Sequence, residues 1–415
     1  MTGLLTEQLG DVVDAYLGEH EAELLDLTAR LIALDSQIPP YGDERAVAAF
    51  LLETLSSLDP DELEVVGPHP SRPSILARLR GTGGGRSLML NGHIDTKPVG
   101  EARAEWRTDP FTATVVDGDL YGLGANDMKG AVAAMIMAAR AVRAAGAPLR
   151  GDLVLGLVAD EEAGAQHGSR YVAPLVRDVD AVLIGEPSGW TEDWQGIHLV
   201  SRGVCGFRIV VRGTQMHSSL SDRLPSVNAS LKLAGLLSRI GTELAVPFTP
   251  HPLGGVGPTL NAGVLIQGGT YFGVVPGRAE FACDLRTVPG QTQDDVAAAL
   301  EAWLAACRAE DPELEVDYAF EPGLEWVPWC ELAPDHALVD ATRRASQDVL
   351  GRTPPLSVFP GATDAPWYAA AGIPTLPSFG PGMLTSAHGP NEFVSVRSLH
   401  EAARIYARTV LDFCQ

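Results

Sequence analysis

Two histidines and five carboxylates stand where apolar runs of this chain stop. His93 and Asp95 lie in "NGHIDTKPVG" directly behind "SLML", and Asp127 lies in "GANDMKG". Glu161 and Glu162 follow "LVLGLVAD" as an adjacent pair, Glu186 follows "AVLIG", and His388 sits in "SAHGPNE". Imidazole and carboxylate together are ligands for Zn²⁺ or a similar divalent ion, and a carboxylate such as Asp127 can bridge two ions. Metal-binding histidines pass their other ring N–H to an acceptor, and residues two apart on an extended segment point the same way. Asp95 is therefore placed to orient His93. Adjacent carboxylates cannot easily face one point, so one of Glu161 and Glu162 can coordinate while the other takes a proton from water.

These residues need a scaffold that brings strand ends together. Up to about residue 195, short apolar runs ("SILARL", "SLMLNGH", "LVLGLVAD", "AVLIGEP") alternate with helical stretches such as "KGAVAAMIMAARAVRAAG". Continuous apolar runs interleaved with helices read as buried strands of an α/β sheet, whose ligands bind at the carboxyl ends of the strands. From about residue 197 the texture changes to alternation, and a β-α-β-β-α-β order follows, ending in "LEVDYAF". The helices "HALVDATRRASQDVLG" and "RSLHEAARIYARTVLDF" then return to the first texture. The expected organisation is one sheet domain formed by residues 1–196 and 322–415, with a smaller domain of residues 197–321 inserted into it.

Composition narrows the function. A formal net charge of −23 repels phosphate backbones and anionic lipid, which argues against nucleic-acid and membrane-surface roles. The N-terminal stretch is spaced as an amphipathic, acid-rich helix without the basic and apolar regions of a signal peptide, and a cytoplasmic location is expected. Five scattered cysteines without a C-x-x-C pair read as reduced thiols. "GTGGGR" lacks the Lys-Ser/Thr of a phosphate-binding loop, and "YGLGAND" lacks the third glycine of a dinucleotide fold. No G-x-S-x-G elbow offers a serine nucleophile.

Taken together, the motifs resemble the dinuclear zinc hydrolase family of acetylornithine deacetylase, succinyl-diaminopimelate desuccinylase, aminoacylase and glutamate carboxypeptidase, over essentially the whole chain. The resemblance implies a zinc-peptidase-like α/β fold: a mixed, mostly parallel sheet flanked by helices, with an inserted α+β, ferredoxin-like lid and dimerisation domain. It makes His93, Asp127, Glu162, Glu186 and His388 ligands of two divalent ions, with zinc first and cobalt or manganese as alternatives. Asp127 becomes the bridge, followed by a cis peptide to Met128, and Asp95 orients His93. Glu161 becomes the general base.

In the inserted domain, "RGTQMHSS" resembles a Gly-x-x-x-His-Ser motif that makes His217 a donor to the scissile carbonyl in the partner subunit's site of a homodimer. "DLRTVPG" makes Arg286 an anchor for a substrate carboxylate, and "GATDAP" makes Gly361 a backbone contact near it. Gly273 departs from the pattern, where asparagine is usual. The implied reaction is hydrolysis of an N-acyl amino acid or related small amide. A dipeptidase or glutamate-type carboxypeptidase is the alternative within the family. A metal-containing binding protein without turnover is the reading outside enzymology, against which the presence of Glu161 and His217 speaks.

Overall fold

The computed structural model describes residues 2–254 and 257–415. Contact density divides the chain into two units: Met1–Ser201 with Cys330–Phe359 and Thr363–Gln415, and Arg202–Trp329 with Pro360–Ala362.

The first unit is built on a six-stranded sheet. In spatial order its strands are Glu62–Val66, Ser74–Leu79, Leu153–Val158, Leu88–His93, Ala181–Ile184 and Thr375–Leu376. The last four run parallel to one another, and the first two are joined on antiparallel, which gives the mixed, mostly parallel sheet expected of the α/β class. Every residue of Leu88–His93 and Leu153–Val158 is buried, as central strands covered on both faces require. One face carries the helix Gly130–Ala144, whose alanine-rich run is buried almost throughout because it is itself covered by the helix Val396–Phe413. The other face packs Met89, Val154, Val182 and Ile184 against Ala365 and Tyr368.

Close approach at the sheet depends on small residues. A Cβ at Gly92 would stand 2.9 Å from both Met128 and Val132 side-chain atoms, so the strand leading to His93 meets the helix behind Asp127 only because residue 92 is glycine. A smaller antiparallel sheet links Thr114–Val116, Asp119–Tyr121 and Phe393–Ser395, and so carries the segment after His388 onto the loop before Asp127. No helix among the described residues is long and apolar enough to cross a membrane.

The second unit is a four-stranded antiparallel sheet in the order Thr259–Gly268, Arg278–Thr287, Gly203–Arg212, Glu315–Phe320. With the helices Ala229–Glu243 and Gln293–Glu310 it follows the β-α-β-β-α-β order. Alternation explains the layer: Cys205, Phe207, Ile209 and Val211 on one strand and Phe281, Cys283 and Leu285 on its neighbour face Leu233, Leu236, Leu300 and Leu304 of the two helices. The second helix opens with a capping box, in which Thr292 and Asp295 satisfy each other's backbone N–H groups.

Candidate metal centre

Five of the residues singled out by sequence converge at one end of the six-stranded sheet. His93 closes its strand and is almost fully buried. Its Nε2 lies 2.9 Å from Asp127 Oδ1 and 3.6 Å from Glu186 Oε1. His388 turns in from the far end of the chain at φ +58, and its Nε2 lies 3.1 Å from Asp127 Oδ2 and 3.2 Å from Glu162 Oε2. Each oxygen of Asp127 therefore faces a different imidazole. The donors form two triads, His93–Asp127–Glu186 and Asp127–Glu162–His388, in each of which the ligand atoms lie within 4.8 Å of one another.

Local backbone geometry explains how Asp127 reaches both. Gly124 adopts φ +77, the following turn is non-helical at Asp127 and Met128, and a cis peptide bond joins those two residues. Glu392, buried and distant in sequence, clamps this turn: its Oε1 accepts the N–H groups of Asn126 and Asp127 and its Oε2 that of Gly124, all at 3.0 to 3.1 Å. Burial, together with the nearby Asp127 charge, pushes the Glu392 carboxyl up to about 8, against the pull of those three N–H groups.

Asp95 lies against His93 and carries a second task that its spacing does not reveal. The His93 Nδ1 lies 3.0 Å from the main-chain oxygen of Asp95 and 3.6 Å from its carboxylate, so the carbonyl is the closer orienting acceptor. The carboxylate also accepts the N–H groups of Glu161 and Glu162. Behind it the buried Arg72 pairs with Glu44 and Asp160, at 2.5 and 2.9 Å. Sequence inspection alone missed Arg72, Glu392 and Asp364. Asp364 is buried near Glu161, its own carboxyl pushed up to about 7 by desolvation.

The electrostatics fit a pair of divalent cations. Desolvation works against charge on every carboxylate here, and it raises Glu186 and Glu161 well above the usual carboxylate range. Asp127 is nevertheless held well below that range by the two imidazoles, which are raised in return, His388 to about 11. A buried acidic cluster thus draws positive charge to itself. Glu162 Oε1 is buried without a hydrogen-bond partner, an orphaned acceptor of the kind a cation satisfies.

The other predicted residues belong to the second unit. His217 is exposed; Ser219 N–H donates to its Nδ1, which leaves Nε2 to carry the ring proton as a donor. Arg286 turns its guanidinium onto Asp284, at 2.9 and 3.2 Å, rather than standing open. Gly361 accepts the N–H of Arg202, a residue that sequence inspection missed. Arg202 is buried, bonds to Thr259 Oγ1 and Gly257 O, and is lowered by desolvation and by the neighbouring Arg286 charge. Gly273 has φ +82, a region open to glycine and tolerated by asparagine. Its departure from the expected asparagine keeps the turn and removes the side chain.

Comparison with known proteins accords with this geometry. The model of Peptidase family M20/M25/M40 matches residues 89–412. The N-formyl-4-amino-5-aminomethyl-2-methylpyrimidine deformylase of Bacillus subtilis (strain 168) is 28% identical, over 95% of this chain and 96% of its own. The succinyl-diaminopimelate desuccinylase of Alkalilimnicola ehrlichii (strain ATCC BAA-1101 / DSM 17681 / MLHE-1) is 33% identical, over 93% and 97%. Among solved structures, the dipeptidase Dug1p from Saccharomyces cerevisiae superposes with a TM-score of 0.76 at 16% identity, covering 98% of each chain, a likeness of fold.

Proposed function

The chain belongs to peptidase family M20/M25/M40, and from that premise we propose that it is a metal-dependent hydrolase of the amide bond in an N-acyl amino acid or a related small amide. The observation that carries the reading is the sharing of Asp127 between two His-carboxylate triads. His93 and Glu186 would hold one ion, Glu162 and His388 the other, with Asp127 on both. Zinc suits this imidazole and carboxylate set, which cobalt and manganese also accept. Bound there, the ions supply Lewis acidity toward the carbonyl and make water a stronger acid.

The chain's own groups do the rest. Glu161, raised by burial and by the Glu162 and Asp364 charges against the pull of His93, is the general base. It takes a proton from the attacking water and returns it to the leaving nitrogen as the C–N bond breaks, yielding carboxylate and amine. His217 of one protomer would donate Nε2–H where oxyanion charge develops in the site of the other protomer of a homodimer. The Arg202–Arg286 pair, one member buried without a carboxylate partner among the described residues, favours a substrate that brings its own carboxylate.

A homodimer joined through the second unit fits that unit's edge strand, which exposes Val264, Leu265 and Ile266. The small unit then serves as the lid and dimerisation domain. Five buried cysteines, all free, suit the cytoplasm.

The test is a panel of N-formyl, N-acetyl and N-succinyl amino acids and dipeptides, offered to the zinc-loaded protein with and without EDTA. Chelator-sensitive release of amine from an acylated amino acid is the expected result. Cleavage of dipeptides alone would move the assignment to a peptidase, and chelator-resistant turnover would overturn it.

A further inference from the structure

Lys97 is one of only three lysines in the chain, and it lies in "GHIDTKPVG" four residues past His93. Its Nζ stands 3.0 Å from Glu162 Oε2 and also donates to the Glu162 main-chain oxygen. That same Oε2 is the atom 3.2 Å from His388 Nε2. With Asp127, Glu162 and His388, Lys97 lines a cavity of about 30 Å³, room for roughly one water. The ammonium therefore borders the Asp127–Glu162–His388 triad. The contacts described for the other triad run from His93 Nε2 to Asp127 and Glu186.

Resting on the metal-hydrolase reading, we propose that Lys97 makes the two metal sites unequal, as a resident cation that competes with a divalent ion for Glu162 Oε2. The His93–Asp127–Glu186 site fills first. The Asp127–Glu162–His388 site fills second and more weakly, because an arriving ion must displace an ammonium from one of its ligand oxygens and then tolerate that charge nearby. Glu162 keeps one buried oxygen, Oε1, without a hydrogen-bond partner, so the carboxylate retains capacity for an ion once Lys97 withdraws. The side chain is about one-third exposed, which gives the ammonium somewhere to go.

The experiment titrates the full-length, metal-free protein with Zn²⁺ in the presence of a competing chelator, by calorimetry, for the wild type, Lys97→Met and Lys97→Arg. Co²⁺ absorption read in parallel reports each ion's ligand field. The wild type is expected to bind in two resolved steps. Lys97→Met should tighten the second step tenfold or more and leave the first within about twofold, a change of about 1.4 kcal/mol confined to one site. Lys97→Arg should retain the weak second step. A second step that is unchanged or weaker in Lys97→Met, or an equal shift of both steps, would overturn the inference while leaving the hydrolase reading intact. Failure of the wild type to bind any metal would overturn both. Should Lys97→Met fold poorly, Lys97→Gln removes the charge while keeping a polar, solvent-compatible end.

Discussion

The carboxylate of Asp95 accepts the main-chain N–H of both Glu161, at 3.2 Å, and Glu162, at 3.0 Å. The residue two past His93 thereby fixes the turn that presents Glu161, the proposed general base, and Glu162, a proposed metal ligand, while its own main-chain oxygen steadies His93. One buried aspartate couples three functional side chains. Asp95→Ala should therefore weaken metal binding by ~10- to 100-fold, the range typical of groups that orient ligands. It should also lower kcat, because Glu161 loses its fixed backbone. Zinc titration beside steady-state kinetics measures both; a variant defective in neither would show that the turn holds without Asp95.

Glu161 touches no described cation by a hydrogen bond, and its elevated pKa comes first from burial, then from the Glu162 and Asp364 charges acting against His93. A group so placed suits proton transfer. Glu161→Gln should keep both metals and lower kcat by ~10²- to 10⁴-fold, the contribution general acid–base catalysis usually makes. Metal content by elemental analysis and turnover on the best substrate decide it, and ordinary turnover by the loaded variant would remove Glu161 from the mechanism.

The Glu392 clamp is a stability device as well as a positioning one. Glu392→Gln retains one acceptor oxygen but turns an NH₂ group toward a buried N–H of the Gly124–Asp127 turn. An unmet buried donor costs about 1–3 kcal/mol. Urea unfolding of the metal-free protein should show that loss, with weaker zinc binding beside it, because Asp127 serves both triads. Unchanged stability and unchanged affinity together would mean that the turn is self-supporting.

How far these relationships were legible in sequence follows from their range. His93, Glu162 and Glu186 each end or follow an apolar run, so the run pattern placed them at the carboxyl ends of strands in one sheet. The α/β class was readable for the same reason: central strands leave nearly unbroken apolar runs. Glu392 gave no such sign, because its partners lie more than 260 residues away and its hydrogen bonds go to backbone, which carries no sequence signature. Arg202 was missed because its neighbour Arg286 joins it only through the antiparallel pairing of Gly203–Arg212 with Arg278–Thr287. The role of Asp95 was half legible: proximity to His93 could be read from spacing, but the Glu161–Glu162 turn it holds is reached only in the fold.

His198 supplies a pH dependence away from the metal centre. It is buried, with Nε2 3.0 Å from Ser188 O and Nδ1 2.8 Å from Ser357 Oγ, and desolvation pushes it down to about 4. An imidazole whose folded pKa is depressed adds stability in full above its unfolded value of ~6.5, and that stability is lost as pH falls toward the folded value. Between pH 7 and pH 4 the loss amounts to roughly 3 kcal/mol. Relative to wild type, His198→Gln should therefore lose stability less steeply over that window, as read by urea unfolding at several pH values. Parallel curves for the two proteins would mean that His198 titrates normally in the fold.

Arg286 separates binding from chemistry. Its guanidinium pairs with Asp284 through Nε and one terminal nitrogen, and Arg202 stands close enough for the two charges to repel. A substrate carboxylate would relieve that repulsion, so binding energy there should act alike in ground and transition states. Hydrogen bonds to charged groups contribute about 1.5–3 kcal/mol, so Arg286→Met should raise KM by ~10- to 100-fold with kcat little changed. An amide of the same acyl group whose amine lacks a carboxylate should be indifferent to the change, and Arg286→Lys should fall between, because an ammonium keeps the charge without the two-pronged geometry. Equal effects on both amides would assign Arg286 to the architecture of its strand, and a fall in kcat at constant KM would place it at the reacting carbonyl instead.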